Sequence, residues 1–173
     1  RSSGVCAANV PDGQAMWETS NSLWAAVQSG TNMVYHAAGW LEGGLIASPE
    51  KFIMDCEVLQ LIQRYFEPII TQTGVDDIGV DAIREVGSSG HFFGVQHTQD
   101  RYEHAFHQPF ISDWRNYEGW ELAGGIWTAD RAHKKYKEIL DDYKKPGMDE
   151  AVHEELRDFV DRRVSEGGAP TDF

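Results

Sequence analysis

The chain has 173 residues, enough for one ordinary domain with a real core, and carries 15 Lys and Arg against 28 Asp and Glu, a net charge of −13 at neutral pH. A field of that sign repels nucleic acid and anionic membrane surfaces. No segment approaches the roughly 20 apolar residues of a spanning helix. Two cysteines, Cys6 and Cys56, make neither a disulfide framework nor a metal-ligand cluster, so the cytoplasm is the expected compartment and no metal is expected.

The charge is unevenly spread. Before Pro49 only Arg1, Asp12, Glu18 and Glu42 are charged; the rest is Gly, Ala, Ser, Asn and aromatic residues. A solvated surface cannot be built from that stretch, so it is expected to lie inside something. An apolar start without an initiator Met also suggests the C-terminal part of a longer polypeptide. Val5 to Ala8 reads as a buried strand. Pro11-Asp12-Gly13 is turn chemistry, and Asp12 is placed to cap a helix from about Gln14 to Ser29, stopped by Gly30. Asn32 to Ala37 reads as a second buried strand, followed by a Gly-rich loop from Trp40 to Gly44. Ser48-Pro49-Glu50 is a helix start, with N-cap Ser, Pro at the first position and an acid in the first turn. That helix is expected to end before Pro68, with Phe52, Ile53, Cys56, Leu59, Ile62 and Phe66 on one face.

Asp76 to Val86 reads as a short helix burying Ile78, Ala82, Ile83 and Val86. His91 to Gly94 is a short strand or extended loop. Beyond it the chain is mostly helical, with candidates at Tyr102 to Phe106, Tyr117 to Ala123, Thr128 to Tyr143 and Asp149 to Ser165. Strand, helix, strand, helix with short connections implies an α/β fold with a parallel sheet. There are too few strands to close it. The expected architecture is therefore the C-terminal part of a (β/α)8 TIM-type barrel with an appended helical tail. Residues 1–100 would be the last βα units and residues 101–173 the extension packing on them.

In such barrels the functional groups sit at the strand ends, here Ala8-Asn9, His36 to Trp40 and His91 to Gly94. Tyr35, His36, Trp40 and Trp17 could form an aromatic cage. A quaternary ammonium ion donates no hydrogen bond, so π faces are the main means of holding it. The bland alternative is aromatic core packing, the favoured reading for Trp24. His36 could be a structural histidine, bind a substrate carboxylate or a cofactor edge, or transfer a proton. His91, His97, His104 and His107 with Asp100 match no recognised zinc spacing. Gly13, at a helix entry, either serves the turn or leaves room for a ligand.

Longer motifs add a resemblance. Val10-Pro11-Asp12-x-Gln14-Ala15, His36-Ala37-Ala38-Gly39-Trp40-Leu41-Glu42-Gly43-Gly44-Leu45 and Glu50-Lys51-Phe52-Ile53-Met54-Asp55 resemble the trimethylamine methyltransferase family. So do Glu85-Val86-Gly87, Gly90-His91-Phe92-Phe93-Gly94, Ser112-Asp113-Trp114-Arg115-Asn116 and Glu166-Gly167-Gly168-Ala169-Pro170. The resemblance covers the whole chain. It implies a parent polypeptide close to three times as long, a βα barrel, and methyl transfer from a methylated amine to the cobalt of a corrinoid (cobalamin) carried by a separate partner protein.

One branch of the family places pyrrolysine in its active site, and by motif alignment that residue would fall at Gly13. Glycine there implies the branch without pyrrolysine, whose members act on quaternary amines such as glycine betaine. A quaternary ammonium leaves as a neutral amine and needs no general acid. The site must desolvate the cation, align one methyl with Co(I) and exclude water. On this resemblance Gly13 and His36 would stand at the reacting centre, with Gly13 making space and His36 orienting a carboxylate or meeting the corrinoid. Asn9, Trp17, Tyr35, Trp40, His91 and Phe92 would bind the substrate. A homo-oligomer is expected. The alternatives are a trimethylamine methyltransferase, if position 13 hides an amber codon, and a betaine-binding protein without catalysis.

Overall fold

A computed structural model describes residues 4–67 and 78–167. The chain divides into two compact units, Arg1–Ile139 and Leu140–Phe173.

In the first unit, Asp12 is the N-cap of α1 (Gly13–Gln28); its carboxylate accepts the Ala15 N–H at 3.2 Å. Ser48 caps α2 (Pro49–Phe66) with Pro at the first position, its hydroxyl accepting the Lys51 N–H at 3.2 Å. Both starts follow the sequence reading. Between the two helices runs a small antiparallel hairpin, β1 (Trp40–Leu41) paired with β2 (Ile46–Ala47), closed by a 3₁₀ turn at Glu42–Gly44. The segment from Val5 to Ala8 lies beside it. Val5 makes one parallel bridge to Trp40, and Glu42 and Gly43 donate to the Ala8 and Cys6 carbonyls at 3.0 and 2.8 Å. Cys6, Ala8, Ala15 and Leu41 form one apolar cluster. Ile53 and Met54 of α2 pack with Ile111 and with Ala132 of a later helix in another.

The second expected strand, Asn32 to Ala37, is absent. Tyr35 and His36 form a turn, His36 has φ 54°, and Val5 pairs with Trp40 instead. A left-handed residue breaks the extended run that pairing requires, and composition alone cannot show it. The expected face of α2 holds in part: Ile53 and Ile62 are buried, but Phe52 and Phe66 are exposed, while Lys51, Asp55 and Glu57 are buried. Much of the uncharged start is exposed too, including Met33 and Leu45, so the described residues do not cover it.

The next helices along the chain are α3 (Val80–Val86), α4 (Gln96–Gln99), α5 (Tyr117–Leu122) and α6 (Thr128–Asp141). Residues 76 and 77, where α3 was expected to start, fall outside the described residues. Ala82 is buried, but Ile78 and Ile83 are exposed. Phe92–Gly94 is a 3₁₀ turn, not a strand. Tyr102 to Phe106 is a series of turns, not a helix. Its N–H groups reach back to Thr98 and Arg101 without a continuing ladder.

The second unit holds α7 (Glu150–Ser165), capped by the Asp149 carboxylate. Its apolar stripe of Val152, Leu156, Phe159 and Val160 is exposed. No helix of the described residues is long and apolar enough to cross a membrane.

Candidate functional site

The turn Val10-Pro11-Asp12 delivers the chain into α1, and Gly13 is the first helical residue. Beside it opens a cleft of about 620 Å³. Its walls are mostly aliphatic and thioether groups: Val10, Met16, Met54, Leu61, Ile111 and one ring, Trp127. A Cβ built on Gly13 would meet nothing within 4 Å, so the glycine borders open space.

Glu57 fixes the far wall. Its carboxylate is buried and accepts the Ile111 N–H at 2.7 Å, the Ser112 N–H at 3.1 Å and the Ser112 hydroxyl. A buried carboxylate needs such partners. The result is a pinned loop that sets Ile111 into the core against Met54.

Of the residues nominated from sequence, Gly13 alone lines this cleft. His36 and Trp40 are brought together, with ring centroids 5.4 Å apart and planes at 81°. His36 is exposed; Trp40 is half-buried, and its carbonyl accepts the Cys6 thiol at 3.2 Å. Trp17 is 59% exposed and Tyr35 62% exposed. Asn9 is exposed and donates its side-chain N–H to Glu42 at 2.9 Å. His91 and Phe92 are exposed at the 3₁₀ turn.

Sequence reasoning missed a buried polar network next to the His36 loop. Lys51, Asp55 and Thr19 are each fully buried. Lys51 Nζ donates to Asp55 Oδ1 at 2.5 Å and Oδ2 at 2.6 Å, and to Thr19 Oγ1 at 2.8 Å. Asp55 Oδ2 also accepts the Gly39 N–H at 2.9 Å. Thr19 Oγ1 donates to the Gly4 carbonyl at 3.3 Å. Burial pushes the Asp55 carboxyl up, against the opposing pull of Lys51 and the Gly39 N–H. Burial also pushes the neighbouring Cys56 thiol up, helped by the Asp55 charge. The signal available in sequence was the spacing of Lys51 and Asp55, one helical turn apart beside Ile53 and Met54.

Glu18 ties the first segment to α1. It accepts Gln14 Nε2 at 2.8 Å and the Ala7 N–H at 2.6 Å. Those hydrogen bonds, the Gln14 one foremost, lower its carboxyl. Among the described residues no three His, Cys, Asp or Glu side chains gather in a way that could hold a metal ion.

The chain is similar to a glycine betaine methyltransferase of Desulfitobacterium hafniense strain Y51, at 34% identity over 157 residues, covering 91% of this chain and 32% of the relative. A trimethylamine methyltransferase MttB of D. hafniense strain DCB-2 is 28% identical over 167 residues, covering 95% of this chain and 32% of the relative. Trimethylamine methyltransferase MttB2 of Methanosarcina mazei is 24% identical over 155 residues, covering 90% and 30%. The chain thus spans about a third of the length of the curated relatives it matches. The family model described as trimethylamine methyltransferase matches residues 1–168, and the chain belongs to that family.

Proposed function

We propose that the full-length protein is a methyltransferase that moves a methyl group from a quaternary amine of the glycine betaine type to the Co(I) of a corrinoid held by a cognate partner protein. The observation that carries this reading is that Gly13 borders open space; by the motif resemblance it would fall where the pyrrolysine branch has its special residue. The relative at 34% identity bears the name glycine betaine methyltransferase.

The chemistry fits a site without an acid. When the C–N bond breaks, its electron pair stays on nitrogen and the amine leaves neutral. Reduced cobalt supplies the nucleophile that accepts the methyl. The residues of this chain would supply position and dryness. Trp17, Tyr35 and Trp40 would face the cation through their rings, with Asn9, His91 and Phe92 along the rim and His36 toward the carboxylate or the corrinoid.

The proposed architecture is the end of a TIM-type barrel, residues 1–100, with residues 101–173 as its helical extension. The rest of the polypeptide would cover the exposed start, bring Trp17 and Tyr35 into the cage and close the sheet. A cytoplasmic homo-oligomer acting on a small methylated amine completes the reading. The test is turnover by the full-length protein with reduced corrinoid protein, offered glycine betaine or trimethylamine. Demethylated product from glycine betaine alone supports it. Turnover of trimethylamine alone favours the other branch, and betaine binding without product favours a non-catalytic binder.

A further inference from the structure

The loop that carries His36 and Trp40 has an unusual support. His36 holds φ 54° and Gly39 φ 87°. A histidine in the left-handed region is strained and persists where its surroundings over-determine it. Two contacts do so. From one side, Gly4 lies flat on the loop backbone: a Cβ there would come within 2.3 Å of the Ala37 carbonyl and 2.4 Å of the His36 oxygen. From the other side, Asp55 Oδ2 holds the Gly39 N–H at 2.9 Å.

Both contacts lead to the same ammonium group. Lys51 Nζ binds both Asp55 oxygens, and it binds Thr19 Oγ1, which in turn holds the Gly4 carbonyl. One buried cation therefore joins α1, α2, the first segment and the His36 loop. A buried ion pair is weak as a source of stability, because desolvation of both charges offsets their attraction. Two well-packed apolar residues could hold α1 against α2, but they could not accept the Gly39 N–H.

We infer that Lys51, Asp55 and Thr19 are positioning residues: through Gly39 and Gly4 they hold the His36–Trp40 loop in the one conformation that presents those two rings together. This rests on the proposed function for its kinetic part, but not for its structural part.

The test uses the full-length protein and three variants. Thr19→Ser keeps the hydroxyl. Asp55→Asn keeps an acceptor near Gly39 but unbalances Lys51. The double change Lys51→Met with Asp55→Leu removes both charges and keeps the volume apolar, which guards against a variant that only fails to fold. Amide exchange at Gly39 and KM for glycine betaine are measured on each folded protein. The double variant is expected to fold with a modestly lowered melting temperature, to lose protection at Gly39 and to raise KM about tenfold or more. Thr19→Ser is expected to match wild type. A merely structural pair would lower the folded fraction, and so the apparent kcat, without moving KM. A stable double variant with wild-type KM and a still-protected Gly39 amide overturns the inference. If wild type turns over no quaternary amine, the functional reading fails, and Gly39 exchange alone decides whether the tether exists.

Discussion

Lys51 and Asp55 stand one turn apart on α2 and form an ion pair with no solvent exposure on either side chain, Nζ to Oδ1 at 2.5 Å. Removing only Lys51 strands a carboxylate in the interior. Lys51→Met is expected to cost about 3–5 kcal/mol, whereas the double change with Asp55→Leu is expected to cost less, about 1–3 kcal/mol, because no charge is stranded and only the Gly39 N–H loses its acceptor. Chemical denaturation of the three proteins checks this.

The single variant also carries a pH signature. Asp55 already sits above the usual carboxylate range because of burial, and losing Lys51 removes the strongest pull in the other direction. The native variant then binds a proton that the unfolded chain has released. Stability from that proton is fully present below the ordinary carboxylate pKa and is lost as pH rises through the raised value. The Lys51→Met penalty is therefore expected to grow from mildly acidic to neutral pH. A flat penalty would show that Asp55 is not held above its ordinary value.

Glu57 serves three donors on the loop that lines the cleft. Glu57→Ala leaves the buried Ile111 N–H without its acceptor and is expected to destabilise by about 2–3 kcal/mol. Glu57→Gln retains one acceptor oxygen and is expected to cost less. Denaturant midpoints for the two variants give the order directly.

Two glycines make opposite predictions. A Cβ at Gly4 collides with the backbone of His36 and Ala37, and Gly4→Ala is expected to cost about 3 kcal/mol or more. At Gly13 nothing stands within 4 Å. There Gly13→Ala is expected to stabilise by about 0.5–1 kcal/mol through the unfolded chain. A larger change, Gly13→Leu, is expected to preserve the melting temperature while abolishing turnover of glycine betaine. Thermal melts and product assays separate fold from site.

Asp113 is paired with Arg115, Oδ2 to Nη2 at 2.5 Å, and the Arg115 hydrogen bonds hold its carboxyl down at about 2. A depressed pKa in the native state stabilises above the ordinary carboxylate value, and that contribution disappears as pH falls toward 2. Arg115→Met is expected to raise the Asp113 titration part of the way toward the ordinary range, since the residue 115 backbone N–H still donates to it. Carboxyl carbon shifts in an NMR titration read this directly.

Helix starts were legible because they are local. Asp12 and Ser48-Pro49 each satisfy free N–H groups from a few residues away, and the structure uses both. The strand at Asn32 to Ala37 was not legible, because an apolar run says nothing about a left-handed φ at His36 or about which neighbour pairs with Val5. The interior of α2 was misread for a related reason. Lys51, Asp55 and Glu57 look like a solvated face until their partners, Thr19, Gly39 and Ile111, arrive from distant segments. The family was legible from its motifs. The cleft wall was not, since Ile111 and Trp127 join Gly13 around the cleft only through tertiary packing.

The central claim is that a glycine at position 13 marks a site for a permanently cationic amine. It is tested most directly by mixing the full-length protein with reduced corrinoid protein and following the cobalt absorption as each amine is added. Glycine betaine is expected to convert the Co(I) spectrum to that of the methylated form, with stoichiometric dimethylglycine, while trimethylamine leaves it unchanged. Conversion by trimethylamine and none by any quaternary amine would contradict the account.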